Sequence, residues 1–252
     1  MIYVTTSWDD GHKLDIKLAE LLDKYGLKGT FYISKNYFKE ERLSEEEILS
    51  LSRNHEIGAH TINHLDLTNI PAEDAKKEIQ QSKNWLEDVL EKEVSMFCYP
   101  YGKYNNHIKT TVKESGFKGA RTTKRFSTEI NDPHEIGFSL HVYPFPFRKM
   151  TANRYYWRYL FQPLEQNWEG IRKFNISFHA LRNWLGFASA LFENLKNDDS
   201  IFHIYGHSWE IDKYGMWDDL ERFFAFVVND KNVTYATNSQ LISIHENFNL
   251  TG

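Results

Sequence analysis

Residues 4–15 read VTTSWDDGHKLD. The β-branched and aromatic residues up to Trp8 have the character of a strand. Two adjacent carboxylates, Asp9 and Asp10, follow at once, and then Gly11. Like charges side by side repel, so the pair calls either for plain solvation in a turn or for a cation that both groups can use. Next comes KLDIKLAELLDKYG, in which Leu14, Leu18, Leu21 and Leu22 recur at helical spacing and Gly26 supplies a stop. GTFYIS then reads as a second strand.

The same rhythm continues along the chain. LSEEEILSLSRN reads as a helix with Ser44 and Glu47 as a capping box. HEIGAH is a short strand, and the helix after it has Pro71 near its first turn. VSMFCY, FKGART, GFSLHVY, IFHIYG and NVTYAT read as further strands, and a last helix is capped by Asn238. About eight strands alternating with helices favour a parallel sheet. The fold class is therefore α/β, and a single barrel is the economical way to close a sheet of this length, with a doubly wound open sheet as the alternative.

Residues 126–175 break the rhythm. VYPFPFRKM and NRYYWRYLFQPLEQNW are crowded with aromatics and arginines. A loop this long is functional or hides an unread element. Its aromatics suit a helix packed on the core or on another subunit, and they equally suit the lining of a site for a ring-bearing substrate.

With 252 residues, 41% hydrophobic and 26% charged, the composition is that of a globular protein. The net charge of −5 gives no reason to expect nucleic acid or an anionic membrane as partner. Cys98 is the single cysteine, which excludes an internal disulfide and fits a reducing compartment. The first residues lack a basic start followed by an apolar stretch, so the expected location is cytoplasmic.

The unusual polar residues gather at the trailing ends of strands: Asp9 and Asp10, His60 with His64, CYPYG, Arg121, His141 and GHSWE. In a parallel α/β sheet these positions share the C-terminal face, where active sites are built. HTINH offers two imidazoles at a spacing one ion can use, and a carboxylate from WDDG completes a donor set suited to catalytic zinc or another divalent ion. The second Asp is then free to act as general base toward the ion's water. The bland alternative is a solvated turn beside surface histidines. Cys98, ending a buried strand, reads as an inert small hydrophobe rather than a nucleophile.

TTSWDDGH, HTINH and CYPYG, in this order and at these separations, resemble the first three motifs of the polysaccharide deacetylase family, the NodB-homology carbohydrate esterases. The likeness runs from Thr5 to about Thr122 and returns in IFHIYGHSWE. It implies a distorted TIM-like (β/α) barrel of about seven or eight strands, one NodB-homology domain over residues 1–252 with the aromatic-rich insertion inside it. It also implies metal-dependent hydrolysis of N- or O-acetyl groups on carbohydrate. By resemblance Asp9 is the base, Asp10, His60 and His64 hold the metal, and Tyr101 offers its backbone N–H to the oxyanion. Pro100 and Gly102 shape that loop, and His207 is the acid that protonates the leaving group. His203, mid-strand, is the weaker candidate for the acid and fits a core role. Arg121 and Trp209 are candidates for substrate contact.

Two departures stand out. The family's third motif begins with arginine where this chain has Cys98, which cannot supply that charge; Arg121 at the next strand end is a candidate replacement, against a plain surface salt bridge. The carboxylate that orients the acid histidine is not evident, leaving Glu210 or Asp212. Two further functions stay open: hydrolysis of another amide, cyclic or formyl, and a catalytically decayed carbohydrate-binding barrel.

Overall fold

A computed structural model describes residues 2–148, 155–196 and 200–251, with side chains up to residue 245. Its strands are β1 (Ile2–Asp10), β2 (Gly29–Ile33), β3 (Glu56–Ala59), β4 (Met96–Cys98), β5 (Gly119–Arg125), β6 (Ile136–Phe138), β7 (Leu140–His141), β8 (Ser200–Gly206) and β9 (Val233–Tyr235). Its helices are α1 (Asp15–Lys24), α2 (Glu45–Leu51), α3 (Ala72–Leu90), α4 (Asn106–Glu114), α5 (Tyr156–Lys173), α6 (Trp184–Leu195), α7 (Ser208–Lys213), α8 (Trp217–Val227) and α9 (Asn238–Thr251).

The sheet runs β6-β5-β4-β3-β2-β1-β8-β7, every pair parallel. β6 and β7 are one stave interrupted at Ser139. Its first part pairs with β5 and its last with β8, and Ser139 N–H donates to the His203 carbonyl at 2.9 Å, so the barrel closes through it. This is the distorted (β/α) barrel expected from the alternation, and the open-sheet alternative falls. β9 lies beside the first half of β1, from Ile2 to Val4, before β2 takes over that edge at Thr6.

Alternation along β1 sorts its side chains. Ile2, Val4 and Trp8 join the apolar layer between barrel and helices, which also takes Leu18 and Leu22 of α1, Ile79 and Leu86 of α3, and Phe223 and Phe224 of α8. Each such large apolar side chain, fully buried, contributes about 1.5–3 kcal/mol. Thr5, Ser7 and Asp9 face the other way, into a polar interior. There Thr5 Oγ1 donates to Asn238 Oδ1 at 2.9 Å, and His203 Nε2 lies 2.8 Å from Ser7 Oγ. His203, its other nitrogen 2.8 Å from the Gly137 carbonyl, is a barrel-core residue.

Two details differ from expectation. The last helix is capped by Thr237, not by Asn238: Gln240 N–H donates to Thr237 Oγ1, and Gln240 Oε1 accepts from Thr237 N–H. Asn238 is drawn instead into the barrel, where its Nδ2 donates to the Tyr32 hydroxyl at 2.8 Å. The segment 126–175 contains α5, on which Trp157, Phe161 and Trp168 are exposed, Trp157 at 70%. Phe126, Phe138 and Phe145 fill the core, while the exposed aromatics of α5 do not. Residues 149–154 of that segment lie outside the described residues.

Candidate active site

In a regular strand Asp9 and Asp10 would point to opposite faces. Asp10 instead has φ +87°, which breaks the alternation and lets both carboxyls enter one cleft, and Gly11 follows at φ +76°. Among the described residues, four of the seven non-glycine residues with positive φ, Asp10, Thr61, His64 and Tyr101, lie at this cleft or in its HTINH loop. Backbone strain concentrated in one place marks a functional constraint. The cleft encloses about 210 Å³ at the C-terminal ends of the strands, lined among others by Asp9, Asp10, His60, His64, His207 and Trp209.

The two carboxylates have separate company. Asp9 Oδ2 is ion-paired with Arg121 across the barrel interior and receives the Cys98 thiol at 3.6 Å, while Oδ1 is buried with no hydrogen-bond partner. Burial alone would raise the Asp9 pKa; the charge of Arg121, helped by His60 and His207, outweighs it and holds the carboxyl below its ordinary value. Arg121 is fully buried, its guanidinium carbon 4.3 Å from the Tyr205 ring centre. It is thus no surface salt bridge, and it is among the residues that line the cleft. It stands beside Cys98 in the β4–β5 register. Cys98 itself is a buried thiol whose pKa burial raises well above the ordinary value.

Asp10 Oδ1 lies 3.6 Å from His60 Nε2 and 3.3 Å from His64 Nε2, and no donor satisfies it. Its other oxygen accepts from Trp209 Nε1 at 3.0 Å. Burial raises the Asp10 pKa, and the Asp9 charge adds to this against His207 and His64. His60 Nδ1 is 2.8 Å from the Cys98 carbonyl, which orients the ring so that Nε2 meets Asp10. His64 is held by its own N–H to Thr61 Oγ1 at 3.0 Å and by Tyr37, whose ring centre is 4.2 Å away. Burial lowers the pKa of both imidazoles to about 4, so both are neutral at neutral pH. Asp10, His60 and His64 each bring a ligand atom within 4.8 Å of the others. An orphaned buried carboxylate oxygen facing two neutral imidazoles fits a divalent cation.

Across the cleft, His207 Nε2 is 3.9 Å from Asp10 Oδ2, and Nδ1 is 2.6 Å from Glu210 Oε2. Burial opposes its charge, but Asp10 and Glu210 prevail and raise its pKa to about 9. Asp212 is engaged elsewhere, accepting from Trp217 Nε1. Tyr101 sits in a 3-10 turn, Pro100–Gly102, at φ +59°, with its side chain 58% exposed. Gly102 has φ +67°, and a Cβ there would overlap the Thr123 side chain. Pro100, the first residue of the turn, is buried and does not line the cleft.

The residues that motif reading overlooks are aromatic or second in line. Tyr37 roofs His64, Tyr205 places its hydroxyl 3.3 Å from His207 Nε2, and Glu78 accepts the N–H groups of Ile62 and Asn63 to hold the HTINH loop. Glu78 sits on α3, and nothing in its sequence surroundings marks it as belonging to that loop.

Fold and site together define an α/β-barrel protein with acid–base groups and candidate metal ligands in one cleft. Residues 2–120 match the family model described as polysaccharide deacetylase. Peptidoglycan-N-acetylglucosamine deacetylase of Bacillus cereus is 30% identical over 117 residues, 46% of this chain and 54% of that one. YxkH of Bacillus subtilis, assigned to the same family, is 28% identical over 124 residues, 48% of this chain and 44% of that one. The chain thus spans about half the length of the curated relatives it matches. A Mycobacterium smegmatis structure assigned to the polysaccharide deacetylases superposes with a TM-score of 0.64 at 16% identity, over 96% of this chain and 89% of that one, a likeness of fold. Through residues 2–120 the chain is similar to the polysaccharide deacetylase family.

Proposed function

We propose that this chain is a metal-dependent hydrolase that removes an acetyl group from an N- or O-acetylated carbohydrate. The observation that carries the reading is the division of labour between adjacent carboxylates: Asp9 turned to Arg121, Asp10 turned to His60 and His64. The family, and a relative named for deacetylating N-acetylglucosamine of peptidoglycan, supply the substrate class.

Asp10, His60 and His64 would hold the ion, and their oxygen and two nitrogens suit zinc. When bound, a divalent ion supplies Lewis acidity, polarising the acetyl carbonyl and making water easier to deprotonate. The chain's own groups do the rest. Asp9 keeps Oδ1 free of partners and takes the proton of the attacking water, while Arg121 anchors Oδ2. The Tyr101 backbone N–H donates to the oxygen that gains charge. His207, protonated at neutral pH and oriented through Nδ1 by Glu210, gives its Nε2 proton to the departing nitrogen or oxygen.

Elemental analysis of the purified protein beside a His64→Ala variant tests the site, with acetate release from acetylated amino-sugar oligomers as the activity. One tightly held ion per chain, lost together with activity in the variant, is expected. Equal and negligible metal in both proteins after zinc addition would sink the metal mechanism. Formate release or ring opening without acetate would move the substrate to another amide.

A further inference from the structure

His141 ends β7 beside the acid histidine, and the reaction above does not use it. Its ring is stacked between Tyr143 and Tyr205, with centres 5.1 and 4.8 Å away. Its Nε2 is buried with no hydrogen-bond partner and lies 3.9 Å from Glu210 Oε2. That same carboxylate oxygen is 2.6 Å from His207 Nδ1. His141, His207 and Glu210 thus bring three ligand atoms within 4.8 Å of one another, at side-chain exposures of 13%, 17% and 13%. We propose that these three residues form a second divalent-cation site, of zinc-type chemistry, whose occupation takes the acid histidine out of use. The inhibitory consequence rests on the deacetylase reading; the binding of the ion does not.

Donor atoms around a tetrahedral zinc stand roughly 3.3 Å apart, given bonds of about 2.0–2.1 Å. The pairs at 2.6 and 3.9 Å bracket that value, and the two imidazoles bring their ligand atoms within 4.8 Å of each other. Burial, with Arg125, His207 and Arg121 nearby, keeps His141 neutral and its lone pair available. Those arginines also oppose a cation, while the carboxylates of Glu210 and Asp10 offset them. On binding, His207 Nδ1 gives up its proton to solvent, and its lone pair, the His141 Nε2 lone pair and a Glu210 oxygen are donated to the ion. His207 then keeps only its Nε2–H, as part of a neutral imidazole, a much weaker acid than imidazolium. Excess metal should therefore inhibit.

Equilibrium dialysis against zinc, with pH-indicator detection of released protons, tests this on wild type, His141→Phe, Glu210→Gln and His64→Ala. His141→Phe preserves an aromatic ring between Tyr143 and Tyr205. Wild type should bind two ions per chain, the second more weakly and with proton release. His141→Phe and Glu210→Gln should hold the first ion unchanged, which also reports an intact fold, and weaken the second at least ~10-fold. His64→Ala should lose the first and keep the second. His141→Phe should also lose inhibition by excess zinc. One ion in wild type, lost in His64→Ala and untouched in His141→Phe, would overturn the second site while leaving the proposed function standing. A second ion that persists in both His141→Phe and Glu210→Gln would overturn it equally. One ion lost in His141→Phe and kept in His64→Ala would instead remove the first site.

Discussion

Asp9 and Asp10 are neighbours in the chain and strangers in the fold. One is held ionised by a buried guanidinium; the other is left with an unsatisfied oxygen between two neutral imidazoles. Contact between them lowers the Asp9 pKa and raises that of Arg121. Removing one partner of a buried ion pair strands the other charge, at a cost of about 3–5 kcal/mol. Arg121→Met should therefore lose about that much in urea unfolding, with Arg121→Lys recovering part. An Arg121→Met protein within about 0.5 kcal/mol of wild type would show that Asp9 does not depend on this partner. That Arg121 was a candidate at all came from its place at a strand end. That it meets Asp9 is a tertiary fact, since 112 positions separate them.

At the level of elements, local chemistry was legible where both partners of a motif are close in sequence. The Ser44–Glu47 capping box of α2 forms as the pattern implies, with Glu47 N–H donating to Ser44 Oγ at 3.2 Å and Ser44 N–H to Glu47 Oε2 at 2.7 Å. Ser44→Ala should lower stability by about 1 kcal/mol, read as a shift in the denaturant midpoint at unchanged slope. No shift would mean that Glu47 alone holds the helix start. At α9 the same reasoning chose the wrong residue. Asn238 is as good an N-cap by type as Thr237. It is removed from that competition by Thr5, Thr30 and Tyr32, contacts more than 200 positions away. The stave β6–β7 was readable as a strand, but its break at Ser139 was not, because the break follows from a change of partner from β5 to β8.

For the molecule as a whole, a polar barrel interior has a consequence for acid stability. Burial, with the nearby Arg121 charge, lowers the His203 pKa to about 3, from an ordinary value of 6.5. The unfolded chain therefore takes up a proton below pH 6.5 that the folded chain refuses, so this residue's contribution is present above 6.5 and lost as pH falls. His203→Gln should be less stable than wild type at pH 7. The gap should narrow by about 1.4 kcal/mol per pH unit between 6.5 and 4.5, as followed by urea unfolding of both proteins. A gap that stays constant over that window would contradict neutral burial of His203. Among the described residues no helix is long and apolar enough to cross a membrane.

By itself the sequence determined the alternation of strands and helices, the parallel sense of the sheet, and the side of it on which chemistry would gather. Those follow from period and from the rule that strand ends of a parallel sheet share a face. Residue types and spacing also picked out Asp9, Asp10, His60 and His64, and the family resemblance picked out His207. Only the tertiary structure decided that the sheet closes through the broken stave at Ser139, that Arg121 meets Asp9, and that Glu210 rather than Asp212 meets His207. It also decided that Asp10 turns at φ +87° to share a cleft with its neighbour. Side-chain types and spacings encode what a residue can do, but partner choice depends on distances across a barrel that no local pattern carries.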